Sequence, residues 1–158
     1  MRGIILDKGE RFFTYLGSVF SAIGNAQLSY NWLITACECY PQTDSFYKLF
    51  HNNEHCFLSG EELTAIVEAE DFQWIWAVLS GFDKSIPLEE ILKYELPWAD
   101  GYTGFWQNPV TIQHPLADVE IAPWDSSLVL IISKNDKIIA DFKNVFHLSE
   151  DLAEYNAR

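Results

Sequence analysis

Apolar positions along this chain follow two periods, and two short runs anchor them: residues 72–79 (FQWIWAVL) and 128–132 (LVLII). Both are rich in β-branched and aromatic residues and are bounded by turn or cap residues, the pattern of strands buried on both faces. A shorter apolar run at 3–6 predicts a first strand, ended by Asp7-Lys8-Gly9. From Glu10 the period becomes helical: Phe12, Phe13, Leu16, Val19, Phe20 and Ile23 form one stripe, and Gly24-Asn25 stops it. Residues 30–40 (YNWLITACECY) alternate as a strand, with Trp32, Ile34, Ala36 and Glu38 on one face and Leu33, Thr35, Cys37 and Cys39 on the other.

Asp44 is placed to cap a short helix that Asn52-Asn53 ends, and a strand is expected at 55–58. Ser59 followed three residues later by Glu62 is a capping box for a helix that buries Leu63, Ile66 and Val67. A loop is expected at 81–85. Pro87 then opens a helix with Leu88, Ile91, Leu92 and Leu96 inward, which Pro97 ends. Residues 119–121 pair as a hairpin with 128–132 through a turn at 123–127. Asn135 caps a last helix carrying Ile138, Ile139, Phe142, Val145 and Phe146, and 147–158 reads as a polar C-terminal tail. These elements predict one α+β domain over 1–158: a mixed or antiparallel sheet with helices packed mainly on one face.

Composition narrows the function classes. Hydrophobic residues make up 49% of the chain, enough for a substantial core. Twenty-three acidic residues oppose ten lysines and arginines, a net charge of −13. That balance repels phosphate backbones and anionic lipid, and so argues against nucleic-acid and membrane partners. It favours a basic protein partner, or serves solubility alone. An odd cysteine count, no N-x-[ST] site and no apolar leader predict a cytoplasmic protein.

The aromatic content, with six Trp and eleven Phe, is concentrated where regular periodicity fails. Residues 98–109 (WADGYTGFWQNP) carry Trp98, Tyr102, Phe105 and Trp106, and they follow an acidic stretch that includes Glu61, Glu62, Glu68, Glu89, Glu90 and Glu95. Aromatic rings dominate binding energy at interfaces, and carboxylates around them steer a basic partner. The candidate surface is therefore Trp98, Asp100, Tyr102, Phe105 and Trp106, with Glu89 and Glu90 beside it and Trp124 and Asp125 at the hairpin turn. The competing readings are that these rings fold inward as core, or that they line a pocket for a small molecule or an enzyme's substrate.

Motifs for chemistry are sparse. His51-Asn52-Asn53-Glu54-His55 matches the H-x-x-E-H of inverted zinc proteases, which needs both histidines on one helix face; the Asn pair argues against it. Cys37, Cys39, His51, His55 and Cys56 form a weaker metal-ligand set, against which stands the reading that the thiols are buried on the sheet. There is no nucleophile elbow and no Gly-rich phosphate loop, and no cofactor is expected.

Met1-Arg2-Gly3-Ile4, Asn31-Trp32-Leu33-Ile34 and the order strand–helix–strand resemble a bacterial family of unknown function from Bacillus-type genomes. The stretch from Asp125-Ser126-Ser127-Leu128 to Asp151-Leu152 is similar to small uncharacterised bacterial proteins. In general character the chain is similar to immunity proteins that neutralise a co-encoded toxin. This resemblance implies a non-enzymatic inhibitor of a basic, nuclease-like domain and assigns no residue a role.

Overall fold

The elements of the computed structural model, which describes residues 1–158, are β1 (Arg2–Leu6), α1 (Leu16–Ala22), β2 (Tyr30–Cys39), α2 (Asp44–His51), β3 (Cys56–Ser59), α3 (Gly60–Ala69), β4 (Trp74–Asp83), α4 (Leu88–Ile91), β5 (Val119–Trp124), β6 (Leu128–Ser133), α5 (Asp136–Val145), β7 (Glu150–Asp151) and α6 (Leu152–Asn156). Single 3-10 turns lie at Ala26–Ser29 and Gly104–Trp106. The strands form one seven-stranded sheet, β3-β2-β4-β5-β6-β1-β7, with every neighbouring pair antiparallel. The two apolar runs supply β4 and β6, which flank β5 at the middle of the sheet, so both faces of these strands are covered.

The chain is thus one α+β domain with two cores. Alternation divides the strands: Ile4, Trp32, Ile34, Leu79, Ile121, Val129 and Ile131 face a first core that α1, α2, α3 and α5 close. Ile5, Leu33, Val78, Phe82, Ala122, Leu130 and Ile132 face a second core. That second face is closed by α4, α6 and the irregular segment between β4 and β5, through Ile91, Ala99, Phe105, Ile112, Ala117 and Leu152. The four longer helices share one face, as expected.

Local chemistry explains the ends of the elements. The capping box at α3 is complete: Glu62 N–H donates to Ser59 Oγ and Ser59 N–H to Glu62 Oε1, each at 3.0 Å. Asn135 Oδ1 accepts the Lys137 N–H at 3.0 Å and starts α5. Gly24 and Asn25, at φ 63° and 59°, turn the chain out of α1.

Several expectations need correction. The first helix begins at Leu16 rather than near Glu10. Thr14 C=O accepts the Trp74 N–H and Tyr15 bridges Gln73, which holds this stretch extended and leaves Phe12 exposed. Strand β4 runs through 81–83, because Gly81 lets the Trp32 ring lie across the neighbouring strand, 3.0 Å from where a Cβ would stand. The helix after Pro87 is one turn long, and Leu92 lies outside the core. On α5, Val145 is exposed rather than inward. Residues 147–158 are not a tail: Glu150 and Asp151 pair with β1, and Leu152 is fully buried in the second core.

Candidate functional site

The site is built on the segment that closes the second core. After α4 the chain exposes three large apolar side chains within seven residues: Leu92 (41% exposed), Tyr94 (42%) and Trp98 (46%). Exposed Glu89, Glu95 and Asp100 lie in the same stretch. The local cation, Lys93, pairs with Glu90 at 2.8 Å.

Three side chains, none of which stands in a recognisable motif, hold this segment on the sheet. Gln113 clamps the Trp98 backbone from both sides: Trp98 N–H donates to Oε1 at 3.2 Å, and Nε2–H donates to the Trp98 carbonyl at 2.8 Å. The Gln113 N–H in turn donates to Glu120 Oε2 at 3.2 Å, on the central strand β5. His114 joins the same segment to α4. Its Nδ1 accepts the Leu116 N–H at 3.1 Å, so Nε2 carries the proton and donates to the Ile91 carbonyl at 2.9 Å. Burial holds the imidazole below its ordinary pKa despite that backbone bond, so it is neutral. Phe82 and Tyr94 pack against the ring with centroids at 4.8 and 5.1 Å.

Glu120 is the most unusual group in the molecule. It is 1% exposed, its Oε1 has no hydrogen-bond partner, and burial pushes its carboxyl up to about 8 against the single opposing bond from Gln113. Ser80, its cross-strand neighbour, is also buried with an unpartnered hydroxyl. Burial and then the charge on Glu120 raise the Tyr102 phenol. A cleft of about 160 Å³ is lined by Glu95, Leu96, Pro97, Trp98, Tyr102 and Gln113, the last of which bonds Glu120 through its N–H.

The rings expected at the surface divide. Trp98 is exposed, and Tyr102 meets it edge to face at 5.4 Å. Phe105, 1% exposed, is a core ring that no partner can touch. Trp106 and Trp124 are half-buried and lie against each other at 5.2 Å. Trp76 extends this layer at 4.7 Å from Trp124, and Asn156 Nδ2–H pins it through the Phe105 carbonyl at 3.0 Å. Trp124, at the end of β5, therefore packs against the 98–106 segment over the second core.

The acidic residues do not share one side. Glu61, Glu62 and Glu68 are on α3, which packs on the first core, whereas Glu89 and Glu90 are on α4, which packs on the second. Glu61 is moreover paired with Lys84 at 2.6 Å. Only the carboxylates from 89 to 100 neighbour the aromatic segment in the chain.

The alternative metal set is brought partly together but not into a ligand sphere. A bulge after Thr35, with Ala36 at φ 50°, breaks the alternation of β2 and turns Cys37 and Cys39 onto the Trp32 face, contrary to the expected assignment. Their Sγ atoms stand 3.6 Å apart, and that hydrogen bond, with burial, holds the Cys37 thiol well above its ordinary range. His51 Nε2 is turned to the Cys39 carbonyl at 2.6 Å and its ring is stacked on Tyr47, so it is not available to Cys56 or His55. Helix α2 ends at His51, so His51 and His55 cannot share a helix face as the protease motif requires. No group of three or more His, Cys, Asp or Glu side chains is arranged to hold a metal ion. No helix is long and apolar enough to cross a membrane.

Compared with known proteins, residues 1–96 match the family model described as "Protein of unknown function (DUF2691)". No curated protein and no solved structure matches the chain.

Proposed function

We propose, from the premise that the chain belongs to the DUF2691 family of unknown function, that it is a non-enzymatic domain that binds a basic protein through segment 92–100. The observation that carries this reading is the exposure of Leu92, Tyr94 and Trp98 among Glu89, Glu95 and Asp100. Exposed rings on a rigid support lose little entropy on binding and act as anchors, while unpaired carboxylates around them raise the encounter rate with a cationic partner. The clamp by Gln113 and the staple by His114 supply that support. Trp106 and Trp124, the half-buried rings of the expected surface, serve as the layer on which this segment rests.

In its concrete form the proposal is an immunity-type inhibitor of a basic, nuclease-like toxin domain in the cytoplasm of a Bacillus-type bacterium. The net charge of −13, three free thiols and the resemblance of Met1-Arg2-Gly3-Ile4 and Asn31-Trp32-Leu33-Ile34 support it. The competing small-molecule reading is less favoured. The cleft at Trp98, about 160 Å³, is smaller than the ~300–1,000 Å³ of ordinary ligand pockets.

The test is co-elution of the purified protein with the products of neighbouring genes. A basic partner should form a complex that weakens as salt rises. Trp98→Ala and Tyr94→Ala, both at exposed positions, should each weaken it by about tenfold or more. A complex indifferent to salt and to both substitutions would overturn this reading.

A further inference from the structure

The cleft beside Trp98 is too small for a metabolite-sized ligand, but it has the size and lining for the head of one cationic side chain. Trp98 and Tyr102 meet edge to face at 5.4 Å with their planes 71° apart, and both rings line the cleft. Glu95 puts a carboxylate on the same lining, and Leu96 and Pro97 supply apolar wall for a methylene stem. Behind the wall, Glu120 bonds the Gln113 backbone with one oxygen and leaves the other unpartnered in a fully buried setting. No lysine or arginine lines the cleft. Aromatic rings and a carboxylate on the wall both favour a cation that has left bulk water.

We infer that this cleft is a cation-binding notch that takes one arginine or lysine head group from the basic partner and so fixes its register. The inference rests on the protein-binding reading above and names the chemistry at its centre. An arginine fits best, because its planar guanidinium stacks on an indole while its N–H groups reach a carboxylate.

Side-chain mimics test the notch without the partner. Nα-acetyl-arginine methylamide is titrated into the ¹⁵N-labelled protein, with the neutral citrulline analogue as control. The arginine mimic should give saturable shifts at the Trp98 indole and Gln113 amide, with a dissociation constant on the order of millimolar. The citrulline analogue should give none. Trp98→Ala should weaken binding by about tenfold and Glu95→Gln by about threefold, with the remaining amide spectrum unchanged to show that the fold is kept. Equal binding of the two mimics, or shifts that bypass Trp98 and Gln113, overturns the notch. The outcomes separate the two claims. A captured partner with no arginine-mimic binding sinks the notch and leaves the protein-binding reading standing. A binding mimic with no captured partner supports the notch and sinks that reading.

Discussion

Glu120 shows how one residue can set the pH response of a domain. Its carboxyl is pushed up to about 8 by burial, against an ordinary value of about 4.3 in an unfolded chain. Between those values the folded protein holds a proton that the unfolded chain has released. Stability from this group is therefore fully present below about pH 4 and is lost as pH rises through 8, at up to about 1.4 kcal/mol per unit. Glutamine keeps the shape of the protonated acid and cannot ionise. Glu120→Gln should flatten the profile, and urea titrations should show the variant gaining roughly 2–4 kcal/mol on wild type between pH 5 and 8.5. Parallel profiles would mean that the carboxyl reaches water. The sequence hides this residue for a plain reason. Between Val119 and Ile121, Glu120 points away from the face that alternation assigns to the first core, and a sheet covered on one side would leave it in solvent. The same limit hides Gln113 and His114, whose roles come from contacts across a segment with no periodicity.

At the scale of elements, legibility follows from how local the cause is. The α3 capping box and the Asn135 cap of α5 were readable because the bonds span two or three residues. Ser59→Ala removes one bond of that box and exposes the Glu62 N–H to competition with water, which should lower stability by about 1 kcal/mol in denaturant melts. A loss near zero would show that the β3–α3 junction is held by Gly60 packing alone, since a Cβ there would stand 2.2 Å from the Gln27 carbonyl. Other elements were set by distant partners. The first helix starts late because Tyr15 bridges Gln73, 58 positions away in the chain and next to β4. The bulge at Ala36, which moves Cys37 and Cys39 to the other face, has no glycine to announce it. The irregular pairing after Thr35 puts Cys37 and Cys39 on the face opposite to the one that alternation assigns.

At the scale of the molecule, the decisive fact is that the sheet has two covered faces. Four amphipathic helices over the first face leave a clear periodic signal. The second face is closed by a single turn of helix, an aromatic segment and the last residues of the chain, and none of these carries a period long enough to read. The polar appearance of 147–158 comes from the same cause: the segment gives the second core one fully buried apolar side chain, Leu152, together with half-buried Tyr155, and its other buried residue, Ser149, is polar. Two weights can be assigned to this segment, and they differ in consequence. As a tail, its removal would be neutral. As the closing piece of the second core, it buries Leu152 against β1 and holds Phe105 through Asn156, so it also supports the layer beneath Trp98. Leu152→Ala should therefore cost about 2–5 kcal/mol in urea unfolding, the usual range for emptying a buried leucine site. It should also raise the amide exchange of 98–106 more than that of α3, which lies across the sheet. Exchange raised equally on both faces would show that the two cores unfold as one unit, so that the recognition segment draws its rigidity from the whole sheet and not from the chain's last residues.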